Sequence, residues 1–287
     1  MYKEKFDITV TALFGGGVNE QFLDSRVKYN FVWKKAIPGN SKIMKLLSPK
    51  TLHKLCIKDE YDIEISYLEG PSARVISGCQ NNNTKKICWI HSNHFSLDEV
   101  SKSFRNVKET KKCYYSYDKI ICVSKYMKEN FCKWIPVSDK CDVLYNTVES
   151  DRILEKSKEE TLEIEDDNSF KLIAVGTLKE VKVYDRLLRI VKKLKAEKID
   201  LKLYILGIGI QEKELKQYVK DNYLEDTVVF LGYKTNPYKY VAKCDLFVCS
   251  SYSEGFSTAV TESLIVGTPI CTVDVSGMDE MLGENNE

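Results

Sequence analysis

The chain has 287 residues and a mass of 33.0 kDa, a length that predicts about two domains of ordinary size. With 43% hydrophobic and 30% charged residues, the composition is typical of a globular protein and excludes a disordered or collagen-like chain. The net charge of +1 argues against a nucleic-acid-binding protein, and no apolar run reaches the roughly 18 residues that a membrane-spanning helix requires.

The charges are divided unevenly along the chain. Residues 1–150 contain 24 Lys and Arg against 17 Asp and Glu, whereas the remainder contains 19 against 25. We therefore expect the two halves to face different partners, and a basic first half suits a phosphate-bearing acceptor at a membrane surface. Four charged residues among the first ten are not typical of a secretory signal, so the sequence predicts a cytoplasmic protein whose ten cysteines are reduced and mostly buried.

The first half contains short apolar runs that predict strands, with one clear helix. The strands are predicted over 6–13, 62–67, 86–90, 119–123 and 141–144, and the helix over 125–134 with Ser124 near its start. Residues 151–169 are rich in Glu, Asp, Lys and Ser and have only weak helical periodicity. This composition predicts a solvated hinge between two domains, 1–150 and 170–287.

The second half alternates strands with helices throughout. Strands are predicted over 171–175, 201–206, 228–231, 245–249 and 269–273, and helices over 184–196, 212–220, 237–243 and from residue 257. This alternation is typical of an α/β protein with a doubly wound parallel sheet. In such a sheet the ligand crevice lies at the carboxyl ends of the strands.

The most specific motif follows the fourth of these strands. Gly255 permits a tight turn, and the backbone N–H groups of residues 256–258 open the next helix. A helix N-terminus offers hydrogen-bond donors and a partial positive charge to an anion, so this stretch predicts a diphosphate site. Carboxylates at Glu254 and Glu262, on either side of it, suit the hydroxyls of a sugar and of a ribose.

Together with other motifs in the same order, this stretch resembles the retaining nucleotide-sugar glycosyltransferases of glycosyltransferase family 4, also called glycosyl transferases group 1. The matching segments are 175–178 with Lys182, 185–187, 206–209, 230–233, 245–248, 254–262, 267–269 and Gly277 with Glu280, and, more loosely, 61–65, 68–71, 89–92, 122–125 and 145–146. The resemblance implies a GT-B architecture, in which two Rossmann-like domains face a cleft. Residues 1–150 would bind the acceptor and residues 170–287 the nucleotide-sugar donor.

The resemblance also implies roles for individual residues. Glu262 would hold the ribose hydroxyls, Glu254 the donor sugar and the amides of residues 256–258 the phosphates. Lys182 would offset the charge on the departing nucleoside diphosphate, and His91 would approach the donor sugar from the acceptor domain. The implied catalytic residues are thus His91, Lys182 and Glu254, and the implied donor-binding residues are Thr177, Gly232 and Tyr233 near the base, Gly255, Phe256, Ser257, Thr258 and Glu262.

Two residues of the second half depart from the family pattern. The family usually has Arg at the place of Thr177 and Gly at the place of Val183, so one of two expected phosphate cations is missing. Lys182 would then act alone unless Lys179 or Arg186 substitutes for it. A lysine cannot make the bidentate contact of an arginine, so we expect weaker donor binding or a different pose of the donor.

Both ends of the chain also depart from the family pattern. Residues 5–10 resemble the second strand of the acceptor domain, so the glycines at 15–17 are predicted to form only a flexible turn. The family's first strand, its glycine-rich loop and its first helix would then be absent. After Gly277 and Glu280 the sequence stops where the family continues. We therefore expect both domains to be incomplete, with uncovered sheet edges, exposed apolar faces and reduced stability.

The leading hypothesis is a retaining glycosyltransferase that moves a sugar from a UDP- or GDP-linked donor to a glycan or lipid-linked acceptor in surface-polysaccharide or glycolipid synthesis. It would act in the cytoplasm, with peripheral contact to the membrane through the basic first half. No Asp-x-Asp triplet ends a predicted strand, so neither a catalytic metal nor a further cofactor is expected. His53 and His94 match no family motif.

Two alternatives belong to other functional classes. The first is a non-catalytic remnant that binds a nucleotide or nucleotide sugar, which the departures at Thr177 and at the chain ends favour. The second is a different Rossmann enzyme, such as a nucleotide-sugar epimerase or dehydrogenase. The segment 207–209 is the only dinucleotide-like fragment, and no complete glycine fingerprint follows an early strand.

Overall fold

The computed structural model describes residues 5–17, 20–35 and 44–283. These residues divide between two compact units, Met1–Leu144 and Tyr145–Glu287. Within the described ranges every strand pair is parallel, and the strands alternate with helices. No helix in this part of the chain combines the length and the apolar character needed to cross a bilayer.

The first unit contains a two-stranded sheet and a four-stranded sheet. Strands β1 (Thr9–Phe14) and β2 (Lys28–Trp33) form the smaller sheet, and β3 (Ile63–Ser66), β4 (Lys85–Ile90), β5 (Lys119–Cys122) and β6 (Cys141–Val143) form the larger one in that order. The helices are α1 (Pro49–Cys56), α2 (Pro71–Ile76), α3 (Leu97–Ser101), α4 (Val107–Tyr115) and α5 (Lys125–Trp134). The side chains of Ser48, Ser96, Asn106 and Ser124 cap α1, α3, α4 and α5, because each accepts a hydrogen bond from a first-turn amide.

The sequence reading of the first unit is right for β3 to β6 and for α5 and needs correction at its start. The strand predicted over 6–13 is Thr9–Phe14, and the strand Lys28–Trp33 was not predicted. No residue of Lys28–Trp33 is buried and Phe31 is 46% exposed, so the apolar residues of this strand do not mark a buried face. Its position is fixed by ladder pairing with β1, a long-range contact that local sequence does not reveal.

The second unit is one five-stranded sheet with helices on both faces. Its strands are β7 (Phe170–Val175), β8 (Leu201–Leu206), β9 (Val228–Gly232), β10 (Leu246–Cys249) and β11 (Ile270–Thr272), in the order β11-β10-β7-β8-β9. Its helices are α6 (Ser150–Ser157), α7 (Tyr184–Ala196), α8 (Glu212–Asp221), α9 (Tyr238–Val241), α10 (Thr258–Val266) and α11 (Met278–Leu282). The predicted doubly wound parallel sheet is confirmed.

Two apolar cores lie on the two faces of this sheet, as the alternation along β7 requires. Leu172 and Ala174 belong to one core, and Ile173, between them, belongs to the other. Helix α7 buries Leu187 and Leu188 in the first core, and its exposed face carries Arg189, Lys192 and Lys193. The cores hold the sheet rigid, so its carboxyl edge can serve as a fixed platform.

The predicted solvated hinge over 151–169 needs correction. Part of it is the helix α6, which packs against α9 and α10 of the second unit. Ile153 and Ile164 are 3% and 4% exposed, and Ile164 belongs to the second core of that unit. Isolated isoleucines among charged residues gave too weak an apolar pattern for this packing to be predicted.

Candidate active site at the switch point of the second sheet

The strand order of the second unit marks one place on the sheet as a candidate ligand site. From β7 the sheet grows through β8 and β9 on one side and through β10 and β11 on the other. The loops that leave β7 and β10 therefore diverge, and open α/β sheets bind ligands in the crevice that such a divergence creates. These two loops contain Lys182 and Glu254.

An ion pair joins the two loops. The Lys182 Nζ atom lies 2.6 Å from the Glu254 Oε1 atom, and the side chains are 26% and 12% exposed. The Ser251 hydroxyl donates to the same Glu254 oxygen over 2.5 Å. The Ser250 hydroxyl donates to the Lys182 carbonyl over 2.8 Å, which ties the backbone of the first loop to the end of β10. Two residues predicted as catalytic are thus brought together.

The loop after β7 reaches Lys182 through a short 3-10 turn, Glu180–Lys182, and then enters α7 at Val183. Val183 is buried and has φ 52°, in the left-handed region. A β-branched residue is strained there, by about 1–2 kcal/mol, whereas glycine is not. This conformation gives a physical reason for glycine at the position in the family.

The N-terminus of α10 presents unbonded amides beside Glu254. Ser257 is the N-cap residue, but its side chain makes no capping hydrogen bond. The N–H groups of Phe256, Ser257 and Thr258 have no hydrogen-bond partner among the residues that the structure describes. Together with the helix dipole, these donors form the kind of site that binds phosphate.

Glu262 lies on α10 and, like Glu254, is half-buried. Burial raises the pKa of Glu262 above its ordinary value of 4.5, and a hydrogen bond from Tyr238 opposes that shift. The Tyr238 hydroxyl donates to Glu262 Oε1 over 3.3 Å, and burial followed by the charge of Glu262 raises the pKa of Tyr238 to about 12. Glu262 is therefore a partly desolvated acceptor with one weak partner, which suits it to a hydroxyl-bearing ligand.

Three glycines allow the strand ends to approach closely at the floor of the site. Gly207 has φ 144°, and a Cβ atom there would lie 1.9 Å from the Gly176 carbonyl oxygen. A Cβ atom on Gly209 would lie 2.2 Å from the Leu178 carbonyl oxygen. Gly232 has φ 69° and accepts a hydrogen bond from the Gly207 amide over 2.8 Å. Tyr233, which follows it, is 53% exposed.

The expected second phosphate cation is not replaced by Arg186. Its guanidinium donates to the Ser250 carbonyl and lies 5.4 Å from the centre of the Tyr252 ring, so it is engaged in the structure of the loop. Thr177 is exposed and carries no charge. The Lys179 side chain is exposed and has no bonding partner in the described part of the chain, so it stays a candidate for the second cation.

One residue at the site was missed as a site residue. Tyr145, the first residue of the second unit, lies with its ring 5.6 Å from that of Phe256, and its hydroxyl donates to Glu280 over 2.6 Å. It thereby contacts the loop whose amides open α10. The family match at residues 145–146 was the signal in the sequence, but it did not indicate which residues Tyr145 contacts.

In the first unit, His91 lies directly after β4 and beside Glu69 and Tyr67. Its backbone N–H donates to Glu69 over 3.0 Å, and its ring lies 5.1 Å from that of Tyr67. Burial lowers the pKa of His91 below 6.5, against the opposing charge of Glu69, so its imidazole is neutral at pH 7. Its Nε2 atom is buried and has no partner among the described residues.

The glycines at 15–17 are more than the flexible turn that the sequence predicts. The amides of Gly16 and Gly17 donate to Glu20 Oε1 over 2.5 and 2.9 Å, and the Tyr29 hydroxyl donates to the same oxygen over 2.6 Å. These bonds lower the pKa of Glu20, with the Tyr29 hydrogen bond the largest cause. Gly16 and Gly17 are therefore held in place by the Glu20 carboxylate.

Comparisons with known proteins assign the chain to a family. The sequence pattern of Glycosyltransferase Family 4 matches residues 3–152, and that of Glycosyl transferases group 1 matches residues 155–287. A Campylobacter jejuni N-acetylgalactosamine-N,N'-diacetylbacillosaminyl-diphospho-undecaprenol 4-alpha-N-acetylgalactosaminyltransferase is 33% identical over 267 residues, which are 86% of this chain and 68% of that protein. An uncharacterized glycosyltransferase of Methanocaldococcus jannaschii is 30% identical over 202 residues, and the chain spans 49% of its length.

Solved structures share the fold at low sequence identity. HepE of Anabaena, in complex with UDP and glucose, superposes with a TM-score of 0.77 at 17% identity, over 99% of this chain and 77% of that one. TarM of S. aureus, solved as a mutant with UDP bound, gives a TM-score of 0.65 at 18% identity, over 82% and 46%. The GT-B fold predicted from the sequence is confirmed, and the chain belongs to the glycosyl transferases group 1 of glycosyltransferase family 4.

Proposed function

We propose that the chain transfers a sugar from a nucleoside-diphosphate sugar to a lipid-linked or polysaccharide acceptor, with retention of the anomeric configuration. The observation that carries the proposal is the pair of Lys182 and Glu254 beside the uncapped amides of α10, at the switch point of the sheet. A cation, a carboxylate and an anion-binding helix terminus together match a donor that combines a diphosphate with a sugar.

Breaking the bond between the sugar and the diphosphate leaves a nucleoside diphosphate with increased negative charge. In this site the amides of residues 256–258 hold the phosphates, and the Lys182 ammonium offsets the charge that develops as the bond breaks. Because the Ser250 hydroxyl holds the Lys182 carbonyl, the backbone stays fixed and only the Lys182 side chain has to turn from Glu254 to the diphosphate. Lys179 supplies a second positive charge.

The two carboxylates divide the hydroxyls of the donor between them. Glu254 accepts hydrogen bonds from the donor sugar once Lys182 turns to the diphosphate, and Glu262 accepts them from the ribose. The base then lies towards Gly232 and Tyr233, at the end of β9. UDP in the solved HepE and TarM complexes supports a uridine donor, with GDP as the second choice to test.

The acceptor is proposed from the relatives and from charge. The Campylobacter relative is named for transfer to a diphospho-undecaprenol substrate with an alpha product, and an alpha product from an alpha-linked donor means retention. The first unit provides His91, whose neutral imidazole can hydrogen-bond a sugar hydroxyl but carries no charge at pH 7. Its excess of basic residues suits peripheral contact with anionic lipid.

The transfer is tested by incubating the chain with UDP- and GDP-linked sugars and a polyprenyl-diphosphate acceptor, and by assigning the anomer of the product by NMR. We expect turnover with one donor, an alpha product and a loss of at least about 100-fold in kcat for Lys182→Ala. Lys213→Ala, an exposed lysine on α8, is the control. Nucleotide binding without turnover of any sugar would instead support the non-catalytic remnant, and an inverted product would contradict retention.

Membrane contact is tested separately by sedimentation with vesicles. We expect the chain to sediment with vesicles of mixed neutral and anionic phospholipids and to be released by salt, because charge attraction to the membrane is screened. Equal sedimentation with purely neutral vesicles would remove the electrostatic explanation.

A further inference from the structure

In the first unit, three potential metal ligands converge from three elements of the fold. His53 lies on α1, Glu64 on β3 and Cys79 in the segment after α2. One ligand atom from each, a ring nitrogen, a carboxylate oxygen and a sulfur, lies within 4.8 Å of the other two. The distance from His53 Nε2 to Glu64 Oε2 is 2.8 Å.

The cluster is buried, although its residues are polar. Glu64 is 5% exposed and Cys79 is 7% exposed, and the His53 side chain is 14% exposed. Removing a carboxylate from water is costly unless it is paired or bound to a metal. Among the residues that the structure describes, the Cys79 thiol makes one hydrogen bond, a weak one of 3.9 Å to the Asn81 carbonyl oxygen.

On strand β3 the polar side chains are buried and the apolar ones are exposed, the reverse of an ordinary edge strand. Its buried face carries Glu64 and Ser66, while Ile63 and Ile65 are 47% and 48% exposed. A strand governed by apolar burial alone would place the isoleucines inside. Polar residues buried in place of apolar ones are expected at functional sites. Here the Glu64 carboxylate lies opposite a histidine and a cysteine.

The approach of the third ligand depends on a glycine. A Cβ atom on Gly78 would lie 2.0 Å from the Pro49 carbonyl oxygen, so only glycine lets this segment pass the start of α1. Cys79 follows Gly78 directly and is thereby brought close to His53, which lies on α1. The side chain of Gln80 donates to the Gly78 and Cys79 carbonyls and fixes the segment further.

We infer that His53, Glu64 and Cys79 bind a zinc-class divalent metal ion that fastens α1 to β3 and to the segment after α2. The mixture of nitrogen, oxygen and thiolate sulfur is the donor set of Zn²⁺ and excludes Mg²⁺ and Ca²⁺, which prefer oxygen alone. Tetrahedral Zn²⁺ places such ligands roughly 3.3–3.6 Å apart, so the His53–Glu64 pair must open by about 0.5 Å and no other pair has to close by more than about 1.2 Å. The partly exposed side of His53 leaves room for water as the fourth ligand.

Binding has a defined proton balance. The Cys79 thiol loses its proton to become the thiolate ligand, and the Nε2 proton that His53 shares with Glu64 moves to Nδ1, so that a neutral imidazole nitrogen and the Glu64 carboxylate can both coordinate. No electron is transferred and no other covalent bond changes. Affinity for the metal therefore rises with pH, and the ion contributes stability to the first unit by linkage.

The inference is tested by stripping the chain of metal with a chelator and titrating it with Co²⁺. We expect saturation at one ion per chain, with a thiolate-to-cobalt band and the strong visible bands of tetrahedral Co²⁺, and displacement by Zn²⁺ but not by Mg²⁺. Cys79→Ser removes the thiolate band. His53→Gln keeps a donor for Glu64 but lowers the affinity by about 100-fold or more, because even second-layer changes reach that size.

Two controls keep the outcome decisive. Cys271→Ser alters an exposed thiol of the second unit and should bind Co²⁺ as the wild type does. If Cys79→Ser unfolds, as shown by circular dichroism, the His53→Gln variant decides instead. Zn²⁺ should raise the melting temperature of the wild type and not that of His53→Gln. A wild type without a thiolate band, or folded variants that bind Co²⁺ equally well, would overturn the inference and leave a buried histidine–glutamate hydrogen bond only.

Discussion

The Lys182 ammonium and the Glu254 carboxylate neutralise each other across the switch point of the second sheet, 2.6 Å apart. The site that is proposed to hold a diphosphate thus contains its own counter-charge before any ligand arrives. A diphosphate and Glu254 compete for one ammonium, so Lys182 favours anion binding and Glu254 opposes it. Substituting the two partners separately tests this relationship.

Glu254→Gln is expected to abolish transfer but to preserve or strengthen the binding of free UDP. The amide no longer holds Lys182, which becomes free for the diphosphate, whereas the donor sugar loses its carboxylate acceptor. Lys182→Ala is expected to weaken UDP binding by about 10- to 100-fold, the size of a charged hydrogen bond. Calorimetric titration of both variants with UDP measures the difference, and equal losses of affinity would show that the pair does not compete with the ligand.

Glu262→Gln is expected to stabilise the fold at neutral pH while weakening nucleotide binding. Burial raises the pKa of Glu262, so the folded state holds that proton more tightly than the unfolded state. Ionising Glu262 therefore costs stability, and the cost grows as pH rises above the unfolded pKa of about 4.3. Melting curves should show a higher Tm for the variant at pH 7 and no difference near pH 4; a lower Tm at pH 7 would contradict the burial argument.

The same carboxyl predicts a pH dependence of binding. Ribose hydroxyls need the ionised form as acceptor, so nucleotide affinity of the wild type should fall as pH is lowered through the raised pKa of Glu262. Glu262→Gln should bind more weakly than the wild type at pH 7 but show a flatter profile. Nucleotide titrations between pH 7 and pH 4.5 measure this pH dependence. If the affinity of the variant falls with pH as steeply as that of the wild type, the dependence belongs to another group.

Tyr145 is expected to act as a positioning residue for the loop that carries Phe256. Tyr145→Phe keeps the ring beside Phe256 and removes the hydrogen bond to Glu280, whereas Tyr145→Ala removes both. Aromatic pairs contribute about 0.5–1.5 kcal/mol, so Tyr145→Ala should raise the donor KM up to about 10-fold with a smaller effect on kcat. Tyr145→Phe should have a donor KM close to that of the wild type. Equal defects in both variants would place the role in the hydrogen bond instead.

Gly207→Ala is expected to destabilise the second unit by about 3 kcal/mol or more. The new Cβ atom would lie 1.9 Å from the Gly176 carbonyl oxygen, a backbone atom that cannot move away as a side chain can. Gly17→Ala, where a Cβ atom meets nothing closer than 4.0 Å, is the control. Urea unfolding measures both, and near-equal midpoints would show that the strand ends are not locked as described.

Much of the second unit could be predicted because local pattern and global fold agree there. Beyond their second residues, Lys171 and Lys202, the runs that form β7 and β8 are continuously apolar in the sequence, as strands covered on both faces of a sheet are, and α7 has a clear helical period. The site motif from Glu254 to Glu262 could be predicted for the same reason, because the loop and the helix N-terminus are local. The pairing of Lys182 with Glu254 is a long-range consequence of strand order and needed the structure.

Features of both units show where sequence reasoning stops. Glu64 is buried and Ile65 is exposed on one strand, an inversion that no periodicity predicts. The charged neighbours of Ile153 predict a hinge, yet its helix packs against α9 and α10 within the second unit. Tyr145 matched a family segment, but only the folded chain shows that it contacts Phe256. In each case the deciding contact joins residues far apart in the sequence.

The most direct test of the account is a calorimetric titration of the chain with UDP, GDP and ADP, using the wild type, Glu262→Gln and Glu225→Gln, an exposed carboxylate outside the site. We expect one nucleotide, and UDP before the others, to bind to the wild type and to Glu225→Gln with equal affinity. Glu262→Gln should lose about 10-fold or more, since a hydrogen bond to a charged group contributes about 1.5–3 kcal/mol. A folded wild type that binds none of the three, or a Glu262→Gln variant that binds as well as the wild type, would contradict a donor site at this switch point.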